Sequence, residues 1–582
     1  MTVRINIPSP RTHATLLILL AFLSCDSYNG DHIEPEKQVV FTKTEYYVVP
    51  GSSVVIDLES VVEKSFTNAS LKISQNPLRG TLSQLGSLLL KYYPARDFLD
   101  GADQFVFSVL SNNEVIATET ITIYVKQDVG ELPCALYAVE DKVYVRSGSM
   151  VSVNFLKNDG LCGVTSPLQV SIHSNSKFGD SQVVGDSIIV YRAGPGYTGR
   201  DEVVYKLSDS SGDNVSYGII NISEWKVQFF PTPITPLRSQ LGSMVTDVAK
   251  MFFVNNTTGY LGGYGIYKTT DGGATWKVSY PATDDRQFAI TDIYFLDADH
   301  GYASYSGIGL WSSCGCERAG LIRTVDGGDT WEDAFEGESH VSINSIFFTS
   351  STTGFVGISS GSFDDANPFP AIRKTDDGGI TWKWVLTYSD FDYDIFNILY
   401  ADSKVGYAHG NSTIYRTIDG GESWQSVYEN GYIKSAAVLP ENIVSANFTV
   451  GGSLINAEFN VFPFGSLSEI TPSTMVWSRE GEAWSPTINL PYTIFAQGFS
   501  PGGTIGFALG ISAINPSFNY PDEDQFRRSQ TLSIIKSVDK GATWTTFETA
   551  EPLYGYPWAI SVPSDTVAYV LGFRELIKFT RP

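Results

Sequence analysis

A short polar motif occurs five times between residues 269 and 544, and it constrains the fold more than any other feature. It reads Thr269-Thr270-Asp271-Gly272-Gly273-Ala274-Thr275-Trp276 in its first copy. Later copies run from Thr324 to Trp331, Thr375 to Trp382, Thr417 to Trp424 and Ser537 to Trp544, with Asp326, Asp377, Asp419 and Asp539 at the third position. A degraded copy ends in Gly481-Glu482-Ala483-Trp484 and carries Arg479 where the Asp is expected. The residue types specify a turn: a carboxylate accepts backbone N–H groups, glycine takes a left-handed φ, and the indole covers the hairpin. Five copies cannot all serve one reaction, so these carboxylates are read as turn builders.

A second pattern precedes each box: an apolar strand, a polar turn, then a small residue with an aromatic. Its clear copies are Met251-Phe252-Phe253 with Gly259-Tyr260, Ile293-Tyr294-Phe295 with Gly301-Tyr302, Ile346-Phe347-Phe348 with Gly354-Phe355, and Ile398-Leu399-Tyr400 with Gly406-Tyr407. Weaker copies are Ala437–Leu439 with Ala446-Asn447-Phe448, Gly498-Phe499 with Gly506-Phe507, and Ile560–Val562 with Ala568-Tyr569. Asp271 and Asp326 are 55 residues apart, Asp326 and Asp377 51, and Asp377 and Asp419 42. Units of this length with four strands are propeller blades. The last unit stops after Leu576–Phe579 without a box, whereas Glu224–Phe229 opens the repeat region with no inner strands before it and matches the strand beginning at Trp382. Residues 225–230 are therefore expected to complete a seventh blade and close the ring, which removes exposed sheet edges.

On these residues the region 225–582 resembles the Asp-box (BNR repeat) propellers described as photosystem II assembly-factor-like. The box also occurs in sialidases, xyloglucan-type glucanases and sortilin-like receptors, so the resemblance implies architecture and leaves activity open.

Two shorter units come first. Tyr93, Gly101, Asp103, Phe105 and Phe107 align with Tyr191, Gly199, Asp201, Val203 and Tyr205, and the period of two after each Asp marks a strand with one buried face. Segments 38–127 and 132–224 are each of sandwich size. They resemble the tandem cadherin-like or Ig-like repeats of bacterial surface proteins, with Asn158-Asp159-Gly160 as the Asn-Asp turn common there. Some relatives bind Ca²⁺ between repeats through acidic clusters. The acids here are scattered, so a stalk without cofactor or metal is expected, a structural Ca²⁺ being the alternative the resemblance implies. The fold class expected is thus all-β: two Ig-like/cadherin-like β-sandwich domains followed by a seven-bladed Asp-box β-propeller.

At the amino end, Arg4 and Arg11 precede an apolar run from Ala14 to Leu23 broken only by Thr15. The run is too short for a bilayer span and fits a signal peptide over 1–24. Phe22-Leu23-Ser24-Cys25 resembles a bacterial lipobox, with Phe22 where the strictest form has Leu, and implies lipidation of Cys25. Residues 25–37 then read as an acidic tether. The expectation is an exported protein, lipid-anchored to the bacterial outer membrane or cell surface. Cys134 and Cys162 share one sandwich and suit an extracytoplasmic disulfide. Cys314-Gly315-Cys316 lacks further metal ligands nearby, leaving a strained disulfide or two thiols.

A count of 39 Lys+Arg against 63 Asp+Glu, net charge -24, argues against nucleic acid as partner. In a four-strand blade the box joins strands three and four, so loops between strands two and three open on the other face. Insertions concentrate there, at 311–319, 359–370, 453–474 and 512–528, and bring Trp311, Phe363, Phe369 and Tyr520. Inter-blade loops add Tyr388, Tyr393, Tyr556 and Trp558. Aromatics beside carboxylates suit stacking on sugar rings or gripping a peptide. The function expected is a non-enzymatic binder of a glycan or envelope protein, monomeric or within a complex. An assembly scaffold and an Asp-box glycoside hydrolase are the alternatives. No sialidase-type Arg-Ile-Pro segment occurs near the propeller start. Gly357-Ile358-Ser359-Ser360-Gly361 follows a strand without leading into a helix, and His300, His340 and His409 share no local constellation.

Overall fold

The structure is a computed structural model describing residues 43–581 apart from 59–68, 87–88, 112–113, 165–166, 196, 198, 213, 234–249, 282–287, 308–317, 340, 361–369, 388–394, 411–412, 430–431, 440–442, 450–472, 480–482, 485–487, 490–491, 513–531, 548–558 and 573–574. Among the described residues all regular structure is β, except two single-turn 3-10 helices at Val129–Glu131 and Phe155–Lys157.

The first two units share one topology. In the first, Glu45–Val48, Glu114–Val125, Gly101–Ser111 and Ala69–Gln75 form one sheet in that order, and Val54–Asp57, Leu89–Pro94 and Gly80–Gln84 form the other. In the second, Asp141–Tyr144, Val215–Ser223, Arg200–Ser208 and Gln169–Ser174 repeat the four-strand order, with Met150–Asn154, Ile188–Ala193 and Gly179–Val184 opposite. In both, the first strand of the four-stranded sheet pairs parallel with the last. The aligned Asp explains the repeat. Asp103 accepts N–H bonds from Leu78 and Arg79 at 3.0 and 2.9 Å and the Tyr92 hydroxyl at 2.9 Å. Asp201 does the same for Lys177, Phe178 and Tyr191 at 2.8, 2.9 and 2.8 Å. Each tyrosine ring lies where a Cβ on the facing glycine, Gly80 or Gly179, would sit 2.4 or 2.6 Å away, so only glycine fits.

The sandwiches meet sheet on sheet. Val55 and Leu89 of the first pack on Val204 and Ile219 of the second. The first also reaches the propeller, where Arg96 pairs with Glu575 at 2.7 Å and lies 3.3 Å over the Phe229 ring. The stalk expected from sequence is corrected to a side-by-side block, because outward-facing Val55 and Leu89 leave water only when a second sheet covers them.

From Lys226 to Thr580 the strands form seven sheets. The first holds Lys250–Phe253, Gly259–Gly262, Ile266–Thr269 and Lys277–Tyr280 in simple order. The seventh takes Ala559–Ser564, Val567–Leu571 and Glu575–Thr580 from the far end and Lys226–Pro231 from the beginning, paired antiparallel from Lys226↔Thr580 to Pro231↔Glu575. The closing strand starts one residue later than the sequence suggested. Trp225 just before it is buried edge-on against Phe507 and Phe547, as Trp331 lies against Phe295 and Trp382 against Phe348. It thus does the work of the missing seventh box tryptophan. In the fifth sheet the fourth strand is split into Ala483–Trp484 and Ile488–Asn489, both on Ser473–Arg479. The sequence match at Ala446–Phe448 is also corrected: these residues pair with Ala436, Ser435 and Ile433, away from the hairpin turn.

The small-residue–aromatic pattern is inter-blade packing. Phe295 lies over Gly301, where a Cβ would be 2.4 Å from the ring, and the next residue, Tyr302, stacks on Phe348 of the following blade at 3.7 Å. Tyr260 stacks on Phe295 at 3.9 Å, and Tyr569 on Phe253 at 3.5 Å across the ring closure. Face-stacked rings of this kind add to the apolar area they bury.

Candidate functional site

The box turns form one face of the propeller, and their carboxylates are consumed locally. Asp271 Oδ1 accepts the Thr269 hydroxyl at 2.8 Å and the Thr275 N–H at 2.9 Å, while Oδ2 accepts the Thr275 hydroxyl at 2.6 Å. Gly272 and Gly273 have φ of 75° and 94°, a region that disfavours a side chain. Trp276 Nε1 donates to the Gly273 carbonyl at 3.1 Å, closing the turn. Asp326, Asp377, Asp419 and Asp539 repeat the set with Thr330, Thr381, Ser423 and Thr543. Hydrogen bonds from the paired hydroxyl, then from the backbone, hold Asp271, Asp326, Asp377 and Asp419 at about 2, below the ordinary carboxylate value. Such anions are poor proton donors or acceptors for catalysis near neutral pH.

The lysine before two of the boxes reaches the next blade. Lys268 pairs with Asp329 at 2.9 Å, and Lys374 with Glu422. In both cases the acid stands two residues before the box tryptophan. Lys536 finds no such acid in a seventh box; it pairs at 2.7 Å with Glu224, beside Trp225, each side chain 3% exposed. Arg581 joins Glu224 at 2.5 Å. The closing strand is thus clamped by a buried ionic cluster that sequence reading missed. Its signal was the Lys536 position itself, since earlier copies of that lysine have a partner in the next blade.

Around the ring centre, inner strands are laced in series. Asp292 accepts the Ile346 N–H at 2.8 Å, and Ser345 Oγ accepts the Ile398 N–H at 2.9 Å. Burial pushes Asp292 up to about 6, against the nearby Lys250.

The loops singled out from sequence fall almost wholly outside the described residues. Trp311, Phe363, Phe369, Tyr388, Tyr393, Tyr520, Tyr556 and Trp558 all lie outside the described residues, as do Cys25, Cys314, Cys316 and His340. The described strands bound those loops: Gly301–Gly307 and Arg318–Thr324, Gly354–Ser360 and Pro370–Thr375, Ile443–Thr449 and Ser473–Arg479, and Gly506–Ser512 and Leu532–Ser537 are second and third strands of their blades. Ala319 and Ser359, read as loop ends, belong to strands. The Gly357–Ser360 part of the G-x-S-x-G match also sits in a strand, so no nucleophile elbow forms there. Arg323 is engaged by Glu332 at 2.7 Å, and His300 by Asp297 at 2.9 Å in its own hairpin turn. His409 is buried beside Phe396.

In the second sandwich, Cys134 and Cys162 are joined by a disulfide with Cα atoms 4.9 Å apart. Asp159 accepts the Val139 N–H at 2.7 Å and the Tyr205 hydroxyl at 3.4 Å. Burial, then repulsion by Asp159 and Glu140, pushes Asp141 up to about 8; burial pushes Asp159 up to about 7. Among the described residues no three His, Cys, Asp or Glu side chains converge as a metal site. Glu140 is taken by Ser53 and Asn221, whereas Asp141 Oδ2 and Asn158 Oδ1 are buried with no hydrogen-bond partner among the described residues.

No family model and no curated protein matches this chain. Solved structures that resemble it include YCF48 bound to D1 peptide, at 15% identity and TM-score 0.41, over 62% of this chain and 98% of that one. YCF48 from Cyanidioschyzon merolae gives 16% and 0.39, over 62% and 99%. The GH74 xyloglucanase from Xanthomonas campestris gives 14% and 0.38, over 60% of this chain and about half (53%) of that enzyme. These likenesses extend no further than the propeller architecture already described.

Proposed function

We propose that the protein is a non-enzymatic binding protein of the cell envelope, exported and lipid-anchored through Cys25. In this reading 38–127 and 132–224 are a compact two-sandwich base, and 225–582 is the propeller that takes a glycan or protein partner. One observation carries it: every described box carboxylate is spent on its own turn. The repeated acids of that face therefore have little left to offer a substrate. The opposite face is where the sequence concentrates long insertions bearing Trp311, Phe363, Phe369, Tyr388, Tyr393, Tyr520, Tyr556 and Trp558. Planar aromatic surfaces suit the faces of sugar rings and the side chains of an extended peptide alike.

The test is retention on glycan arrays and capture of envelope proteins by the purified chain, compared with a Tyr388→Ala, Tyr520→Ala, Trp558→Ala triple variant. Loss of retention in the variant with an unchanged thermal melt supports the reading; unchanged retention sinks that face. Release of reducing sugar from envelope polysaccharide by the purified protein would overturn the non-enzymatic assignment. Cys25→Ala is expected to move the protein from the membrane to the soluble fraction.

A further inference from the structure

Beside the apolar contact of the two sandwiches lies a group of buried polar side chains that packing alone does not require. Lys91, Asn221 and Glu140 are 5%, 3% and 6% exposed. Lys91 comes from the Leu89–Pro94 strand of the first sandwich, and Asn221 from the Val215–Ser223 strand of the second. Lys91 Nζ stands 3.4 Å from Asn221 Oδ1 and 2.7 Å from Glu202 Oε2. Asn221 Oδ1 also accepts from Arg200 Nη2 at 2.9 Å. On its other side, Asn221 Nδ2 donates to Glu140 Oε1, and Glu140 Oε2 accepts the Ser53 hydroxyl. An amine, a carboxamide, a cation on the carboxamide oxygen and a carboxyl on its nitrogen thus meet in one water-poor interface.

We propose that Lys91 and Asn221 form an isopeptide bond that joins the two sandwiches covalently. Glu202 takes one proton from the Lys91 ammonium, and the free amine attacks Asn221 Cγ. Arg200 faces the oxygen on which negative charge grows, which is where a fixed donor lowers the barrier most. Glu140 relays a second Nζ proton to Nδ2, the Cγ–Nδ2 bond breaks, and ammonia leaves, carrying off as ammonium the proton that Glu202 held. One ammonium side chain and one carboxamide become one secondary amide and one ammonium ion, so no oxidant, cofactor or energy source is needed. Burial lowers the Lys91 pKa despite Glu202 and Glu140 beside it, which favours the free amine. Holding both groups in contact replaces an encounter between separate molecules by an intramolecular step. The inference stands apart from the ligand reading, because it concerns the base and not the loop face.

Peptide mapping of the denatured, protease-digested full chain tests it. The expected product is a branched peptide joining the Lys91 and Asn221 segments, one ammonia lighter than the two separate peptides. It should be absent from Lys91→Met and Asn221→Ala. In Glu140→Gln it should fall at least tenfold with an unchanged circular-dichroism spectrum. Recovery of Lys91 and Asn221 only in separate linear peptides from folded wild-type protein would overturn the proposal. A branched peptide persisting in Asn221→Ala would do the same. If Lys91→Met fails to fold, the wild-type map still decides, since it needs no variant.

Discussion

The sandwiches and the propeller both repeat an aspartate that organises a turn, yet they place it in opposite surroundings. Asp103 and Asp201 are buried, and each gathers two backbone N–H groups and a tyrosine hydroxyl from across the sandwich. The box aspartates sit at the surface and bind only their own turn. One arrangement ties distant strands together; the other shapes a single hairpin while stacked rings such as Tyr302–Phe348 join the blades. The same residue type is therefore a cross-link in one half and a local staple in the other.

The largest effect should come from the clamp that joins the two halves. Glu224→Ala leaves Lys536 buried without its 2.7 Å partner, and breaking a buried pair costs about 3–5 kcal/mol. Denaturant melts should show the propeller transition, read by tryptophan fluorescence, moving while the sandwich transition, read by circular dichroism, stays, since every Trp lies at or after Trp225. A double-mutant cycle with Lys536→Ala should give far less than the sum.

Next comes Asp201→Ala, which orphans two N–H groups and the Tyr191 hydroxyl. At about 1–3 kcal/mol for a buried unsatisfied group, it should lower the sandwich transition and leave the propeller in place. A comparable loss from Asp326→Ala would erase the contrast drawn here.

Asp141 and the box aspartates should also answer pH in opposite senses. Asp141 is raised to about 8 in the fold, so the protonated form is favoured there. Its contribution is full below about pH 4, the ordinary carboxylate value, and is lost as pH rises to about 8. Asp141→Asn should then stabilise the sandwiches at about pH 9 relative to pH 5 by up to about 4 kcal/mol. The box aspartates are held at about 2; their contribution is present above about pH 4 and is lost as pH falls toward 2. Urea midpoints across that range, read separately for each half, check both signs.

The smallest effect belongs to a single box. Asp326→Ala at neutral pH should shift the propeller melt by only about 1–2 °C, because the turn is exposed and its four intact copies keep the other blades.

What could be read in the sequence was whatever repeats. Gly301-Tyr302 and Asp326 through Trp331 recur because each blade needs the same close approach and the same turn, and the paired Asp103 and Asp201 recur for the corresponding reason. Contacts made once left no such trace. Lys91 and Glu140 look like ordinary surface charges until the second sheet covers them. Glu224 looks like the end of a sandwich until Lys536 arrives from a distant part of the chain. The weak fifth unit was misaligned at Ala446–Phe448 because no glycine–aromatic pair anchors it. The loop aromatics were chosen by residue type and position between strands, which narrows a face without defining contacts.

Only Glu224 and Trp225 separate the last sandwich strand, ending at Ser223, from the ring-closing strand beginning at Lys226. As the chain emerges from the ribosome, that closing strand appears before any other strand of the ring, and its partner Glu575–Thr580 follows all the other blades. The sandwiches can finish folding while this strand still presents a bare edge, a state prone to false pairing. So distant a contact also forms slowly. Assembly of the ring is thus a matter of waiting, and whatever shelters that edge during synthesis governs how much intact protein is obtained.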